Sequence, residues 1–215
     1  MHGPAPYDYV DLPALPPSVP RRGNALTRGL GRLVLGLLGW RFMGAFPDTP
    51  KFVVVAAPHT SNWDGVIGLA AALALGIEVH FIGKHTLFRG PLGWFLRAMG
   101  GLPVDRDNPG GLVDQAIEAF RRREAFVFGL APEGTRRHAA QWKTGFHRIA
   151  GAAAVPVVLV AFDYATKRIG ALATLHTTSD LAHDLEVIAG YYATVRARNP
   201  THFALPGRGE AAIGA

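Results

Sequence analysis

Two residues whose side chains can exchange a proton lie five positions apart in the stretch FVVVAAPHTSNWDG, which covers residues 52–65. His59 follows an apolar run and a proline, and Asp64 ends a short polar segment. A histidine with an ordinary pKa of about 6.5 can act as a base near neutral pH. A carboxylate that accepts one imidazole N–H fixes the tautomer and leaves the other ring nitrogen free to take a proton. The spacing therefore permits a base paired with its orienting acid.

The same spacing also has a purely structural interpretation. We predict that Ser61 is the N-cap of a helix that begins at the next residue, with Asp64 as its partner in a capping box. Under this interpretation Asp64 only caps the helix, and His59 only hydrogen-bonds a carbonyl group. Both interpretations place His59 in a loop and Asp64 in the first turn of a helix.

Other kinds of catalytic site find little support in the sequence. A serine nucleophile is disfavoured because the chain has no G-x-S-x-G elbow. A thiolate nucleophile is excluded because the chain has no cysteine. We expect no metal site, since His59, His80 and His85 lack the tight spacing and the companion carboxylates of metal ligands. If His59 is a catalytic base, the nucleophile is therefore expected to be the substrate.

A second polar segment, APEGTRR, occupies residues 131–137 and follows another apolar run. A turn at Gly134 can present backbone N–H groups to a phosphate, together with the guanidinium group of Arg136. Glu133 is then available to position the arginine or to accept a hydrogen bond from a hydroxyl. Arg106, at the end of GGLPVDR, supplies a second guanidinium group from another strand. Each arginine taken singly is equally well explained by a surface salt bridge.

The elements that must position these residues alternate along the chain. Apolar and β-branched runs predict strands, and segments with helical spacing predict helices between them. The predicted strands are 51–57, 78–83, 101–106, 125–134, 155–164 and 168–178, and the predicted helices are 64–76, 87–100, 108–124, 145–154 and 179–199. This alternation predicts an α/β fold with a mixed, largely parallel sheet flanked by helices on both faces. Ligand sites in such sheets lie at the carboxyl ends of the strands, where the polar segments above would meet.

The chain before this sheet is predicted to have two parts. Residues 1–23 are rich in proline and form an extended arm. Residues 24–46 contain an amphipathic helix with leucines and Trp40 on one side and Arg28 and Arg32 on the other. This helix packs on the domain's own core, or it lies at a membrane interface with its arginines toward lipid phosphates. No spanning helix is expected, because the apolar run at 33–40 is far shorter than the ~20 residues required.

The charge balance favours anionic partners. The chain has 22 Lys and Arg residues against 16 Asp and Glu residues, and its isoelectric point is near 10.1. Such an excess suits nucleic acid, anionic lipid or phosphorylated small molecules. We expect no nucleic-acid partner, because the run RRRE at 121–124 is better explained as a helix end and no basic cluster interleaved with aromatics is present.

Four segments, HTSNWD, GGLPVDR, APEGTR and VPVVLV, occur in this order within residues 59–160. Together they resemble the sequence blocks of the glycerolipid acyltransferases, of the lysophosphatidic acid acyltransferase type. The histidine–aspartate spacing alone is a weak signal, but its combination with Pro-Glu-Gly-Thr-Arg is specific. The segment KTGFHRIA at 143–150 also resembles the family. The resemblance implies a glycerol-3-phosphate acyltransferase-like fold, with residues 47–215 as the acyltransferase domain.

The resemblance also implies a role for each matching residue. His59 deprotonates the acceptor hydroxyl, Asp64 orients His59, and the hydroxyl attacks the acyl thioester without a covalent enzyme intermediate. The block at 155–160 is structural or lines the acyl chain. The residues implied to bind the acceptor and its phosphate are Lys84, Arg106, Glu133, Gly134, Thr135 and Arg136.

The implied reaction moves a fatty acyl group from acyl-CoA or acyl carrier protein to a lysophospholipid, above all 1-acylglycerol-3-phosphate, giving phosphatidic acid. The donor is a co-substrate, and no other cofactor is expected. An anionic membrane surface is the third implied partner, with the chain bound peripherally on its cytoplasmic side.

Two departures from the family pattern keep other functions open. Ala131 stands where family members commonly have an aromatic residue, and Arg137 stands where they have serine. These changes allow a different acceptor, such as another lysophospholipid, a lipoamino acid or a glycolipid. A membrane-binding homologue without catalysis and a thioester or lipid hydrolase are the remaining alternatives.

Overall fold

An eight-stranded sheet runs through the centre of the structure. The computed structural model describes residues 9–10, 12–104 and 111–207. The strands are β1 (Tyr9–Val10), β2 (Arg41–Met43), β3 (Lys51–Ala57), β4 (His80–Lys84), β5 (Gly101–Val104), β6 (Phe126–Leu130), β7 (Val157–Asp163) and β8 (Arg168–Leu175). Their order in the sheet is β1-β2-β8-β7-β3-β6-β4-β5.

The middle of the sheet is parallel. Strands β7, β3, β6, β4 and β5 all run in one direction, with Val53 of β3 opposite both Phe128 and Val157. Strand β8 is antiparallel to β7, β2 is parallel to β8, and β1 is antiparallel to β2. The prediction of a mixed, largely parallel sheet is confirmed. As a result, the carboxyl ends of β3, β6 and β7 meet at one edge.

Six α-helices of the described residues cover the sheet. They are α1 (Ala25–Leu38), α2 (Asn62–Leu75), α3 (Gly90–Ala98), α4 (Leu112–Arg122), α5 (Gly145–Ala153) and α6 (Leu181–Tyr192). Helices α1 and α2 pack with Phe52, Val54 and Val158 on one face, whereas α4, α5 and α6 pack with Val53 and Val55 on the other. This division follows from the alternation of side chains along a strand. No helix in the described part of the chain is both long enough and apolar enough to cross a bilayer.

Helix α3 belongs to the same layer as α1 and α2. In β4, Ile82 packs on the α4 side of the sheet, so its neighbour Gly83 faces the opposite side. A Cβ atom at Gly83 would lie 2.9 Å from the ring of Phe88, which lies two residues before the start of α3. The same ring lies over Gly101 of β5. The two glycines therefore make room for the residue that anchors α3.

The N-terminal helix is shorter than the predicted span of residues 24–46. It ends at Leu38, because Gly39 adopts a left-handed conformation and its N–H bonds back to the last turn. Residues 41–43 then form β2 beside β8, which local periodicity did not indicate. Trp40 is consequently not on the leucine side of the helix; it is buried in the core. Leu15, from the proline-rich segment, is buried in the same cluster.

The end of the last helix also differs from the prediction. Helix α6 ends at Tyr192, although the sequence indicated a helix up to Pro200. The following residues bury Val195 and Ala197, and the carbonyl of Arg196 accepts a hydrogen bond from the backbone N–H of Tyr164. Tertiary contacts thus override helical propensity in this segment. The predicted strand at 101–106 is seen as β5, and its last two residues lie outside the described part of the chain.

Helices α1 and α2 approach closely at a glycine. A Cβ atom on Gly31 would lie 2.4 Å from the backbone nitrogen of Ala74 and 2.5 Å from the carbonyl oxygen of Ala70. Arg28, in the first turn of α1, lies beside Gly76, which follows the last residue of α2, so the two helices run antiparallel. The side of α1 that carries Gly31 and Leu35 therefore faces the protein, and Leu26, Leu30, Leu33 and Leu37 are exposed on the other side.

This packing predicts opposite effects for two glycine-to-alanine changes in α1. Gly31→Ala should lower the free energy of unfolding by about 1–3 kcal/mol, because the new methyl group meets backbone atoms that cannot move independently. Gly36→Ala should raise it by roughly 0.5–1 kcal/mol, because that position has open space and alanine favours the helix. Urea denaturation of both variants measures the difference. A Gly31→Ala variant as stable as Gly36→Ala would contradict the packing.

Candidate active site

His59 and Asp64 lie in the loop and the first helical turn that follow β3. Ser61 is the N-cap of α2, and its hydroxyl oxygen accepts a hydrogen bond from the Trp63 N–H at 3.2 Å. The Asp64 carboxylate accepts from the Ser61 N–H at 2.7 Å and completes the capping box. The predicted capping arrangement is confirmed. It places Asp64 at the carboxyl edge of the sheet.

The capping role does not exclude the functional interpretation. The Asp64 oxygen that caps the helix, Oδ2, also lies 3.5 Å from Nδ1 of His59. This distance is longer than that of a strong hydrogen bond, as is common for catalytic contacts without substrate. The Asp64 side chain is fully buried, and the His59 side chain is 25% exposed. The imidazole is thus reachable from solvent while its orienting carboxylate is not.

Glu133 joins the loop after β6 to the loop after β3. Its carboxylate oxygen Oε2 accepts a hydrogen bond from the backbone N–H of His59 at 2.8 Å. The residue is only 4% exposed, and among the described residues its Oε1 has no hydrogen-bond partner. Burial raises the pKa of Glu133 to about 7, the charge of Asp64 adds to this rise, and the His59 N–H opposes it. Glu133 therefore fixes the main chain of the histidine at an energetic cost.

The rest of the segment APEGTR lies against the start of α2. Gly134 has a left-handed backbone, and the side chain of Lys143 occupies the space beside it. The Thr135 hydroxyl oxygen accepts a hydrogen bond from the backbone N–H of Arg137. The guanidinium group of Arg136 donates to the Asn62 side chain. The predicted residues Glu133, Gly134, Thr135 and Arg136 are therefore next to the histidine–aspartate pair.

One predicted site residue, Lys84, is not part of this cluster. Lys84 is exposed at the end of β4, and β6 separates that strand from β3. Arg106 lies outside the described residues. The structure thus brings together the first and third polar segments of the sequence, and the role of the second stays a prediction.

Two contacts at the site come from residues that the sequence patterns did not single out. Tyr164 follows β7, and its hydroxyl donates to Asp64 at 2.5 Å. Asn199, beyond α6, donates its side-chain amide to the carbonyl of Thr60 at 2.8 Å. The rule that sites form at strand carboxyl ends would have pointed to Tyr164, since β7 neighbours β3. No local pattern marks Asn199.

A model of the Acyltransferase family matches residues 45–163, which is more than half of the chain and includes the whole histidine–aspartate and Glu133 cluster. The chain belongs to the Acyltransferase family. The sequence resemblance to glycerolipid acyltransferases is thereby confirmed.

Named relatives narrow the comparison within the Acyltransferase family. The chain is 33% identical over 113 residues to the 1-acyl-sn-glycerol-3-phosphate acyltransferase of Bacillus subtilis, covering 51% of this chain and 55% of that protein. It is 28% identical over 118 residues to the enzyme of the same name from Streptococcus pneumoniae, covering 54% and 43%. The chain therefore spans about half the length of these curated relatives.

One solved structure is also similar. It is the 1-acyl-sn-glycerophosphate (LPA) acyltransferase, PlsC, from Thermotoga maritima, at 25% identity and a TM-score of 0.46. The likeness covers 63% of this chain and 55% of that one. Because the TM-score is below 0.5, this likeness adds nothing to the family match.

The buried Glu133 predicts a specific dependence of stability on pH. Its pKa is higher in the folded chain than the ordinary value of 4.5, so its contribution to stability is complete below pH 4.5 and is lost as the pH rises toward 7. At ~1.4 kcal/mol per pKa unit, the loss is on the order of 3 kcal/mol. Glu133→Gln, which cannot ionise, should lack this loss. Urea denaturation at pH 4.5 and pH 8 compares the variant with the wild type.

Glu124→Gln is the matched control, because Glu124 is exposed at the end of the α4 segment. This variant should keep the pH dependence of the wild type, so that other titrating groups cancel in the comparison. Equal pH dependence of the wild type and Glu133→Gln would show that Glu133 does not titrate in this range.

Proposed function

We propose that this chain transfers a fatty acyl group from acyl-CoA or acyl carrier protein to the free hydroxyl of 1-acylglycerol-3-phosphate, giving phosphatidic acid. The observation that carries the proposal is the cluster of His59, Asp64 and Glu133 at the carboxyl edge of β3 and β6. It supplies an accessible base, a buried orienting acid and a fixed main chain. The names of the relatives supply the acceptor.

The geometry supports a direct transfer. Nδ1 of His59 faces Asp64, so Nε2 is the nitrogen that takes the proton from the acceptor hydroxyl. The hydroxyl oxygen forms a bond to the thioester carbonyl carbon, and the carbon–sulfur bond then breaks. The proton held by His59 passes to the departing thiolate. The donor is a co-substrate in this scheme, and no resident cofactor takes part.

Arg136 is the described residue best suited to the acceptor phosphate. Its guanidinium group lies beside Asn62 in the first turn of α2, next to the histidine–aspartate pair. The positive end of the helix dipole at the N-terminus of α2 also favours a bound anion. A phosphate held by Arg136 would bring the glycerol hydroxyl toward His59.

Replacing the proposed base tests the reaction. His59→Ala should lower kcat by roughly 10²–10⁴-fold, because no other group takes the hydroxyl proton. The assay uses purified protein, a long-chain acyl-CoA and a panel of acceptors that includes lysophosphatidic acid, with free CoA and acylated product measured together. His183→Ala, a change at an exposed histidine on α6, is the control and should keep full activity.

The acceptor panel separates the alternatives. Product formed only from another lipid would keep the chemistry and correct the acceptor. CoA release without acylated lipid would indicate hydrolysis. Wild-type turnover retained in His59→Ala would reject the proposed base.

We further propose that the layer formed by α1, α2 and α3 binds an anionic membrane surface peripherally. All but two of the large hydrophobic side chains that are exposed in the described residues lie on these helices or in the turn before α3. The two that lie elsewhere are Leu102 of β5 and Val187 of α6. On α1, Leu26, Leu30, Leu33 and Leu37 form one stripe along the helix. An apolar surface confined to one layer is typical of an interaction site.

Helix α3 contributes the other exposed apolar group. Trp94 is 73% exposed and Leu92 is 54% exposed, whereas Gly93 and Leu96 are buried. Trp94 and Leu92 are therefore on the surface of the protein and not in its core. Tryptophan beside aliphatic residues suits the interface between lipid headgroups and acyl chains.

Basic residues border this layer. Arg32 is exposed on α1, whereas Arg22 is paired with Glu78 at 2.9 Å and is less available to lipid. Cations near an anionic surface contribute ~1 kcal/mol each to binding. The exposed Arg32 is thus a better candidate for lipid contact than Arg22.

Charges placed on the leucine stripe test the membrane proposal. Leu30→Glu combined with Leu33→Glu should weaken binding to vesicles of phosphatidylcholine and phosphatidylglycerol by roughly tenfold or more, because two apolar side chains are lost and two negative charges are added. Vesicle co-sedimentation measures the effect. Both leucines are exposed, so the fold should be unaffected.

Val187→Glu is the control, since it puts one glutamate on an exposed apolar position of the opposite layer. It should bind vesicles nearly as well as the wild type. If the double variant binds like Val187→Glu, α1 does not contact the membrane.

A further inference from the structure

The Asp64 carboxylate has a hydrogen-bond donor on each of its oxygens. Oδ2 accepts from the Ser61 N–H at 2.7 Å and lies 3.5 Å from Nδ1 of His59. Oδ1 accepts from the hydroxyl of Tyr164 at 2.5 Å. Tyr164 is 100 residues away in the chain and follows β7, the strand next to β3.

We propose that Tyr164 is a positioning residue for the His59–Asp64 pair. The proposal rests on the function given above, in which that pair moves the proton. The last torsion of an aspartate side chain is soft, so a single hydrogen bond leaves the carboxylate plane free to turn. The hydroxyl of Tyr164 holds the second oxygen and keeps Oδ2 directed at His59.

The ring of Tyr164 is itself held from two sides. The rings of Tyr164 and Trp40 make an edge-to-face contact, with 4.9 Å between their centroids and nearly perpendicular planes. The guanidinium group of Arg198 lies 5.8 Å from the ring centroid, and the same group lies 5.5 Å from the ring of Trp63. The backbone N–H of Tyr164 donates to the carbonyl of Arg196 at 2.9 Å. The hydroxyl therefore has a fixed position relative to Asp64.

The hydroxyl also keeps its proton under ordinary conditions. Burial raises the pKa of Tyr164 further above its usual value of 10, and the hydrogen bond to the negative Asp64 raises it more, while Arg198 opposes the rise. Tyr164 is therefore a donor to Asp64 throughout the pH range in which histidine acts as a base.

Tyr164 lies just beyond the segment that matches the Acyltransferase family, which ends at residue 163. Arg198 lies still further along the chain. The contact with Asp64 thus comes from the structure, and the matched sequence blocks do not include it.

Tyr164→Phe tests the role, because it removes the hydroxyl and keeps the ring between Trp40 and Arg198. We expect kcat to fall roughly 10- to 100-fold, as for a misplaced catalytic group. The KM values for acyl-CoA and for the acceptor should stay within about twofold, since Tyr164 holds the base and not the substrate.

Tyr192→Phe is the matched control. Its hydroxyl is also buried and donates to the backbone carbonyls of Val55 and Val160, away from the Asp64 side chain. We expect this variant to have a lower melting temperature with kcat close to that of the wild type. A role of Tyr164 in folding alone would make the two variants behave alike.

A spectroscopic measurement supports the test without requiring turnover. The ¹⁵N shifts of the His59 ring, assigned from their loss in His59→Gln, report which nitrogen carries the proton. Because Nδ1 faces Asp64, we expect the Nδ1–H tautomer in the wild type and in Tyr192→Phe. Its population should fall in Tyr164→Phe.

The outcomes separate this proposal from the proposed function. If the wild type transfers acyl groups and Tyr164→Phe keeps its kcat, Tyr164 is not a positioning residue. If no acceptor supports turnover, the proposed function fails, and the ¹⁵N comparison alone decides the role of Tyr164. In that case a reduced Nδ1–H population in Tyr164→Phe supports the positioning role, and an unchanged population rejects it.

Discussion

A carboxylate removed from solvent must find its hydrogen-bond donors within the protein, and Asp64 is such a group. Its two donors come from different parts of the chain: the backbone of Ser61 at the start of α2 and the hydroxyl of Tyr164 beyond β7. These two hydrogen bonds connect the loop after β3, the first turn of α2 and the end of β7. The same arrangement leaves Asp64 facing His59, so the contacts that stabilise the buried charge also orient the proposed base.

Glu133 adds a second acid to this buried region. It is held there by the backbone N–H of His59, and the rise of its pKa to about 7 shows that burial outweighs that hydrogen bond. Two acids in one buried region repel each other and cost stability near neutral pH. Such a cost is common where a site is organised for chemistry rather than for stability. The loops after β3 and β6 are thus held together by a hydrogen bond whose acceptor is a carboxylate that is costly to bury in its charged form.

The two sides of the sheet differ in how their helices meet solvent. On the α4–α6 side, the apolar side chains are turned almost entirely inward. On the α1–α3 side, Gly31 lets α1 approach the backbone of α2 closely, and Leu26, Leu30, Leu33 and Leu37 lie on the opposite, exposed side of α1. The antiparallel packing brings the end of α1 and the buried Trp40 beside Tyr164. Helix α1, which carries part of the proposed membrane surface, is therefore connected through Trp40 and Tyr164 to the proposed catalytic pair.

Local sequence determined the parts of this structure that depend on neighbouring residues. The β-branched run of β3, the N-cap Ser61 and its capping partner Asp64 are set by interactions over a few residues, and the alternation of apolar segments determined the mixed, largely parallel sheet. Tertiary contacts set the strand order, the outward stripe of leucines on α1 and the contacts of Glu133 and Tyr164. Those contacts join residues 74 and 100 positions apart. They depend on which strands become neighbours in the sheet, and no local periodicity or propensity encodes that choice.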